Sequence, residues 1–248
     1  MLRRHDHTIF LVPDPAELDS VAEKFAAAGF LITERDDLGR ETAATFQKLI
    51  CFADGSYIEI LTIRDEAARA RHRFAHLLPL GHCWADYSID CVGLDEDRAR
   101  IVAAGLPVGG PHEHQRTLRD GRPWGVRLIL LGIGAGFPAL PFLLEDTVGR
   151  DLRIPMVHTQ HPNGITGTAG VTVAVKSLVT AKPQFDVVFG AGTTIGDGLR
   201  YTLGAQWVDI IEGNAAAREG VASVTLLKPG AGAPKPLAAG LGLFVADA

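Results

Sequence analysis

Cysteine is scarce: three residues in 248, Cys51, Cys83 and Cys91, odd in number and without C-x-x-C spacing. That excludes a disulfide framework and a thiolate zinc site and leaves three small apolar side chains. Long apolar runs are missing too. The longest, residues 126–137, is broken by Arg127 and falls short of the roughly 18–20 residues that cross a bilayer. The polar start from Met1 to His7 is no signal h-region, so a cytoplasmic protein without a membrane partner is expected. Nor is there an excess of positive charge, with 24 Lys and Arg against 29 Asp and Glu and a net charge of −5. Basic residues scattered in this way leave no footprint for nucleic acid. No G-x-S-x-G occurs and no cysteine has the flanks of a known nucleophile motif. The Gly132-Ile133-Gly134-Ala135-Gly136 run is no dinucleotide loop, because Pro138 forbids the helix that should follow it. No nucleotide or flavin cofactor is expected.

What is present is an ordinary globular composition, 47% hydrophobic and 21% charged, long enough for one large domain or two small ones. Residues 8–12 form an apolar run stopped by Pro13-Asp14-Pro15. Residues 16–28 place Leu18, Val21, Ala22, Phe25 and Ala28 at helical spacing, with Gly29 as the stop. Strand-like stretches follow at 30–34, 43–52 and 57–63, the last two joined through Asp54-Gly55 as a hairpin turn. The unit reads β-α-β-β-β, and after a linking helix over 65–78 it returns: strand 85–92, helix 94–104, strands 106–109, 126–132 and 140–145. Phe25-Ala26-Ala27-Ala28-Gly29-Phe30 matches Ile101-Val102-Ala103-Ala104-Gly105-Leu106 as helix end, glycine stop and strand start. A shortened third copy runs through strand 170–175, helix 183–189 and strand 205–211, followed by a strand at 220–227. The expected class is α+β, with module one over 5–64, module two over 83–148, a shortened βαβ-like third module over 158–228 and an irregular Gly/Ala/Pro-rich tail over 229–248.

Several stretches in this order resemble the vicinal oxygen chelate superfamily, and more narrowly its glyoxalase-like domain family: Asp6-His7-Thr8-Ile9-Phe10-Leu11-Val12-Pro13-Asp14, Asp54-Gly55-Ser56-Tyr57-Ile58-Glu59-Ile60-Leu61, Ala139-Leu140-Pro141-Phe142-Leu143-Leu144-Glu145, and His161-Pro162-Asn163-Gly164 ahead of Gly170-Val171-Thr172-Val173-Ala174-Val175. The resemblance implies paired βαβββ modules curled into a half-open barrel around a metal or a bound small molecule. It also implies ligands on the first and fourth strands of each module. His7 and Glu59 match those places in module one. In module two the places fall near Tyr87, a poor ligand, and Glu145, one residue out of simple alignment. His161, in a Pro/Gly turn, is the candidate to complete the set. Imidazole and carboxylate donors together suit a divalent ion such as Zn, Mn, Fe, Ni or Co with open coordination sites.

Each of these residues also has a plainer reading. His7 can be an exposed residue before the first strand. Glu59 shares the face of Tyr57 and Leu61 by alternation, where a carboxylate is either ligating, paired or solvated. Glu145 can simply end its strand. Arg127, an isolated charge in an apolar strand, either binds a substrate anion through its planar fork or pairs with Glu59 or Glu145. Trp124 packs a ligand or the core, and His112-Glu113-His114 reads as a solvated hairpin. Two functions follow. One is metal-assisted lyase, isomerase or dioxygenase-type chemistry on a substrate with vicinal oxygens, with Glu59 and His161 catalytic and His7, Glu59 and Glu145 on the metal. The other is a metal-free small-molecule binding or resistance protein that uses Trp124, Tyr87 and Arg127. Superfamily members often form homodimers, yet two modules in one chain allow a closed cup in a monomer.

Overall fold

Strand β1 (Leu2–Val12) buries every residue from His5 to Val12, and a strand covered on both faces belongs at the middle of a sheet. Pro13 ends it, and Asp14 Oδ1 accepts from the Ala16 amide at 3.0 Å to start a short 3-10 turn. Helix α1 (Leu18–Ala27) follows, burying Leu18, Val21, Ala22 and Phe25 along one stripe. Strands β2 (Thr45–Cys51) and β3 (Tyr57–Ile63) complete module one. The computed structural model describes residues 2–132, 139–213, 218–238 and 240–247. The strand expected over 30–34 reduces to a single bridge between Thr33 and Leu49, because the chain beyond it leaves the sheet edge.

The linker contains α2 (Glu66–Arg71) and a 3-10 turn over Ala75–Leu80. Module two is β4 (Cys83–Cys91), α3 (Leu94–Ala103), β5 (Val108–Thr117), β6 (Pro123–Leu131) and β7 (Phe142–Val148), closed by the short helix α4 (Arg150–Arg153). The seven strands run β2-β3-β1-β4-β7-β6-β5. The modules meet where β1 and β4 pair antiparallel, while β1 with β3 and β4 with β7 are parallel. Side chains alternate across this curled sheet. Phe10, Ile58, Ile60, Tyr87, Ile129 and Leu143 enter the main core with α1 and α3. Ile9, Leu61, Trp124, Val126, Phe142 and Leu144 form a second apolar cluster, which floors the concave side.

Residues 33–43 cross that concave side as a strap. Thr33 pairs with Leu49 of β2, and the Leu38 amide donates to the Thr117 carbonyl of β5 at 2.8 Å. The Arg119 side chain binds Asp36 and Glu41. The two edge strands of the sheet are thereby tied together, which protects their unpaired backbone groups.

The additional C-terminal module is also β-α-β-β-β: β8 (Gly167–Val175), α5 (Leu178–Phe189), a three-residue β9 (Thr193–Ile195), β10 (Gly198–Leu203) and β11 (Gln206–Glu212). Helix α5 begins five residues before the expected start, with Pro183 inside it. Strand β12 (Gly220–Leu227) follows, and two short strands, β13 (Lys235–Ala238) and β14 (Leu243–Ala246), lie within the stretch read from sequence as a tail. Apolar Leu243 and Val245 bury against the core and hold them there. This sheet runs β13-β14-β12-β8-β11-β10-β9, the order of the first sheet place for place. Its central antiparallel pair is β12 with β8, flanked by parallel β14 and β11. The glycine run at 132–136 extends outside the described residues. Among the described residues, no helix is long and apolar enough to cross a membrane.

His5, at 1% exposure, lies next to a bulge in β1, and burial together with the neighbouring His7 lowers its imidazole from 6.5 to about 3. The unfolded chain therefore binds the proton that the folded chain refuses. The His5 contribution is complete above pH 6.5 and is lost as pH falls from 6.5 toward 3, at up to about 1.4 kcal/mol per pH unit. Urea titrations between pH 7 and about 4 should show this slope, reduced by roughly one proton's worth in His5→Asn. An unchanged slope in the variant would contradict the assignment.

Candidate functional site

The site begins with a register shift. Opposite β4, His5 pairs with Ile89 and His7 with Ser88, so Asp6 is an extra residue in β1. Such a bulge re-aims side chains, and here two consecutive residues turn toward each other. The Asp6 carboxylate is fully buried and receives Arg153 Nη1 and Nη2 at 3.0 Å each, Arg150 Nη2 at 3.0 Å, and His7 Nδ1–H at 2.7 Å. Burial alone would raise its pKa. The Arg153 charge and the His7 hydrogen bond outweigh that and hold the carboxyl well below the usual range. Arg153 is itself buried and satisfied by Asp146 and by the Tyr57 hydroxyl oxygen at 2.9 Å. A charge cluster of this kind is tolerable in the interior only when every partner is present.

His7 is fixed on all sides. Its ring stacks on Tyr57 at 4.4 Å and meets the edge of Phe142 at 5.3 Å. With Nδ1 committed to Asp6, Nε2 faces Glu59 Oε2 at 3.7 Å. Glu59 is buried in part, with Ile9 as its register partner on β1. Both side chains line a cavity of about 260 Å³ over the apolar floor, with Trp124 as a wall. Trp124 Nε1 donates to Asp37 of the strap at 2.8 Å, and the Arg35 guanidinium lies 4.5 Å above its ring.

Of the seven residues singled out in the sequence, His7, Glu59 and Trp124 come together in this cavity. The other four lie elsewhere. Tyr87 pairs with Thr8 and turns into the main core, where its hydroxyl donates to the Ala139 carbonyl at 3.2 Å; Asp86 and Ser88 take the concave face. Glu145 is one residue past Leu144, which faces the cup, so it points to the opposite side and accepts from the Gly93 amide at the start of α3, at 2.8 Å. Arg127 is on that same side, gripping Asp95 with two hydrogen bonds of 2.7 and 3.1 Å and lying 3.8 Å from Glu145. His161 is a core peg between Phe30 and Phe52. Its Nδ1 accepts from the Leu31 amide at 3.0 Å and its Nε2–H donates to the Cys51 carbonyl at 3.1 Å, so neither ring nitrogen is left for a ligand. Asp6, Arg153 and Tyr57 were not singled out in the sequence: without the bulge, Asp6 would face away from His7, and no spacing signals it.

The donor set decides how well a divalent ion would fit. His7 Nε2 and Glu59 Oε2 are two suitable donors, and Asp6 behind His7 is the outer partner that an imidazole ligand usually has. Ser88 and Phe142 pair across β4 and β7 in module two as His7 and Tyr57 do in module one, and Leu144 follows on the same face where Glu59 follows Tyr57. The first- and fourth-strand places of module two thus hold a hydroxyl and an apolar side chain where module one holds His7 and Glu59. Among the described residues no group of three His, Cys, Asp or Glu side chains is arranged to hold a metal. A resident ion calls for three or four protein donors, and these residues do not fit one.

A model of the glyoxalase-like domain family matches residues 5–189. No curated protein matches the chain. Among solved structures, the fold is similar to that of a hypothetical protein from Staphylococcus aureus, with 14% sequence identity, complete coverage of both chains and a TM-score of 0.75. It is similar as well to a xylose isomerase-like TIM barrel/4-hydroxyphenylpyruvate dioxygenase fusion protein, at 13% identity and a TM-score of 0.59, over 93% of this chain and 37% of that one. At these identities the likeness is one of fold.

Replacing Arg153 by Leu strands the Asp6 charge and should cost about 3–5 kcal/mol in chemical denaturation. Glu59→Gln should change stability by less than about 1 kcal/mol. Comparable losses in both would deny the cluster its structural weight. Elemental analysis of protein purified without chelator should find divalent metal well below one per chain. A near-stoichiometric ion that disappears in Glu59→Ala would overturn the donor-set reading.

Proposed function

The chain belongs to the glyoxalase-like domain family, and from that premise we propose that its cup is the active site of a small-molecule enzyme whose working pair is Glu59 and His7. The observation that carries this reading is the arrangement Asp6–His7–Glu59, with an imidazole locked at Nδ1 and aimed by Nε2 at a carboxylate on the floor of a cavity. A carboxylate and an imidazole set side by side over an apolar floor suit proton transfer at a carbon next to a carbonyl. Glu59 Oε2 takes the proton from carbon, and the electron pair of that C–H bond moves onto the carbonyl oxygen. His7 Nε2, carrying a proton as imidazolium, delivers it to that oxygen, while Asp6 stabilises the imidazolium through Nδ1. Return of a proton to carbon then gives an isomerised substrate, and loss of a neighbouring group gives an eliminated one. Trp124 and Phe142 exclude water from the reacting atoms.

In family members that hold a divalent ion, the metal supplies polarisation of the substrate's oxygens. No step here is routed through one, because Ser88 and Leu144 stand in module two where module one has His7 and Glu59. Leu144 and Ser88 in those places favour a second reading, in which the cup binds its ligand without turning it over.

Solvent deuterium exchange at the carbon beside the carbonyl, followed by NMR across a panel of small oxo and hydroxy acids, separates the two. Exchange should fall by about 10²–10⁴-fold in Glu59→Gln, with the variant folded. Exchange that persists in the variant would sink the proton-transfer reading, and binding without exchange in the parent would favour the binding protein.

A further inference from the structure

Four basic side chains on the rim of the cup have no part in the scheme above. His72 and Arg73 come from the linker between the modules, His114 and Arg116 from edge strand β5, and all four line the cavity that holds His7 and Glu59. They stand close enough to act on one another. Partial desolvation and the charges of Arg116 and Arg73 both lower the His114 imidazole below its ordinary range, and His72 is lowered by burial and by Arg73. Arg73 is placed by Asp86 and lies 4.1 Å over Phe74 and 5.0 Å over Phe142. Arg116 is exposed and, among the described residues, meets no carboxylate; its guanidinium donates to the Gln115 carbonyl at 2.9 Å. A guanidinium left without an anion at the mouth of an apolar cavity is a recognition element waiting for one.

We propose that Arg73, His114 and Arg116 form an oxyanion clamp, and that the molecule taken by the cup carries a carboxylate or phosphate at one end. The proposal rests on the cup being the small-molecule site and names the chemical class that enters it. Geometry sets the other end. The Phe142 ring lies 5.0 Å from the Arg73 guanidinium and 5.3 Å from the His7 ring, so it links the rim to the floor pair. An anion held at the rim lays the rest of the molecule along Phe142 toward His7 and Glu59. Of the clamp residues, Arg73 already pairs with Asp86, which holds its charge at the rim; the other guanidiniums of the cavity are committed as well, Arg35 to Asp37, Arg153 to Asp6 with Asp146, and Arg40 to Glu34. Arg116 thus remains the guanidinium of the cavity without a carboxylate of its own among the described residues.

The test uses the full chain and three probes of similar size: phenylacetate, phenyl phosphate and the neutral phenylacetamide, titrated with tryptophan fluorescence and NMR shifts as readouts. At least one anion should bind about tenfold or more tightly than the amide, and Arg116→Gln should remove most of that difference. Arg116→Lys should restore part of it, since charge returns without the fork. Preference for phenylacetate identifies a carboxylate end and preference for phenyl phosphate a phosphoryl end. Equal binding of the amide, no binding of either anion, or an Arg116→Gln affinity within about twofold of the parent would each overturn the clamp. Arg116 is on an exposed edge strand, so the variant's fold is checked by its cooperative melt. Because the readout is binding, an anion-selective cup in which Glu59→Gln leaves exchange untouched would fail the proton-transfer reading while leaving the clamp intact.

Discussion

A carboxylate with no access to water governs this protein. Asp6 survives in the interior because Arg153 and Arg150 neutralise it and His7 takes its remaining lone pair. The partners come from two parts of the fold. His7 is its neighbour on β1, while the two arginines sit on α4, the first element after module two. Removing Arg153, which binds it twice, would strip the buried charge of its main partner, at a cost far above that of an exposed ion pair. The junction of the two modules and the orientation of the His7 ring are therefore set by the same contacts. The module junction cannot loosen without releasing the imidazole, nor can the imidazole turn without stranding Asp6.

The concave side is built on the same economy of position. Its floor is apolar, Glu59 stands against His7 on the strands of module one, and Arg73, His114 and Arg116 stand at the rim. The strap over 33–43 joins the rim from edge to edge, and Trp124 belongs to both strap and wall through its bond to Asp37. Preorganisation comes from these contacts, which hold the His7 and Glu59 side chains on strands instead of on free loops.

The modular fold was legible because its signals are local. Alternation in Tyr57–Ile63, the stripe of α1 and the glycine stops at Gly29 and Gly105 mark elements that the structure retains within a few residues. Site geometry was legible only where strands keep strict alternation. Glu59 could be placed on the face of Tyr57 and Leu61, as it is. Tyr87 was assigned to a face that its neighbours occupy, because β1 and β4 shift register more than once and a shift of one residue reverses every side chain beyond it; Glu145, one residue out of alignment, takes the face opposite Leu144 by simple alternation. His161 has the turn chemistry of a cavity-mouth residue, yet its two ring nitrogens answer backbone groups 110 and 130 positions away, which no local pattern reveals. The strands within 235–246 escaped notice because a Gly/Ala/Pro-rich composition carries little β signal; they exist by virtue of Leu243 and Val245 reaching the core.

The second sheet repeats the strand order of the first, but among the described residues no helix covers its β12–β14 flank. That flank is covered by the other half of the molecule. Trp84 Nε1 donates to the Leu241 carbonyl at 2.8 Å, and Arg218 donates to the Trp84 carbonyl at 2.6 Å. Leu243, Val245 and Val224 share one apolar cluster with Phe10, Trp84 and Tyr87. Cooperativity is the consequence. The β12–β14 flank is buried by the N-terminal half while α5 covers the other, so the two halves share one set of apolar contacts and are expected to unfold as a coupled unit.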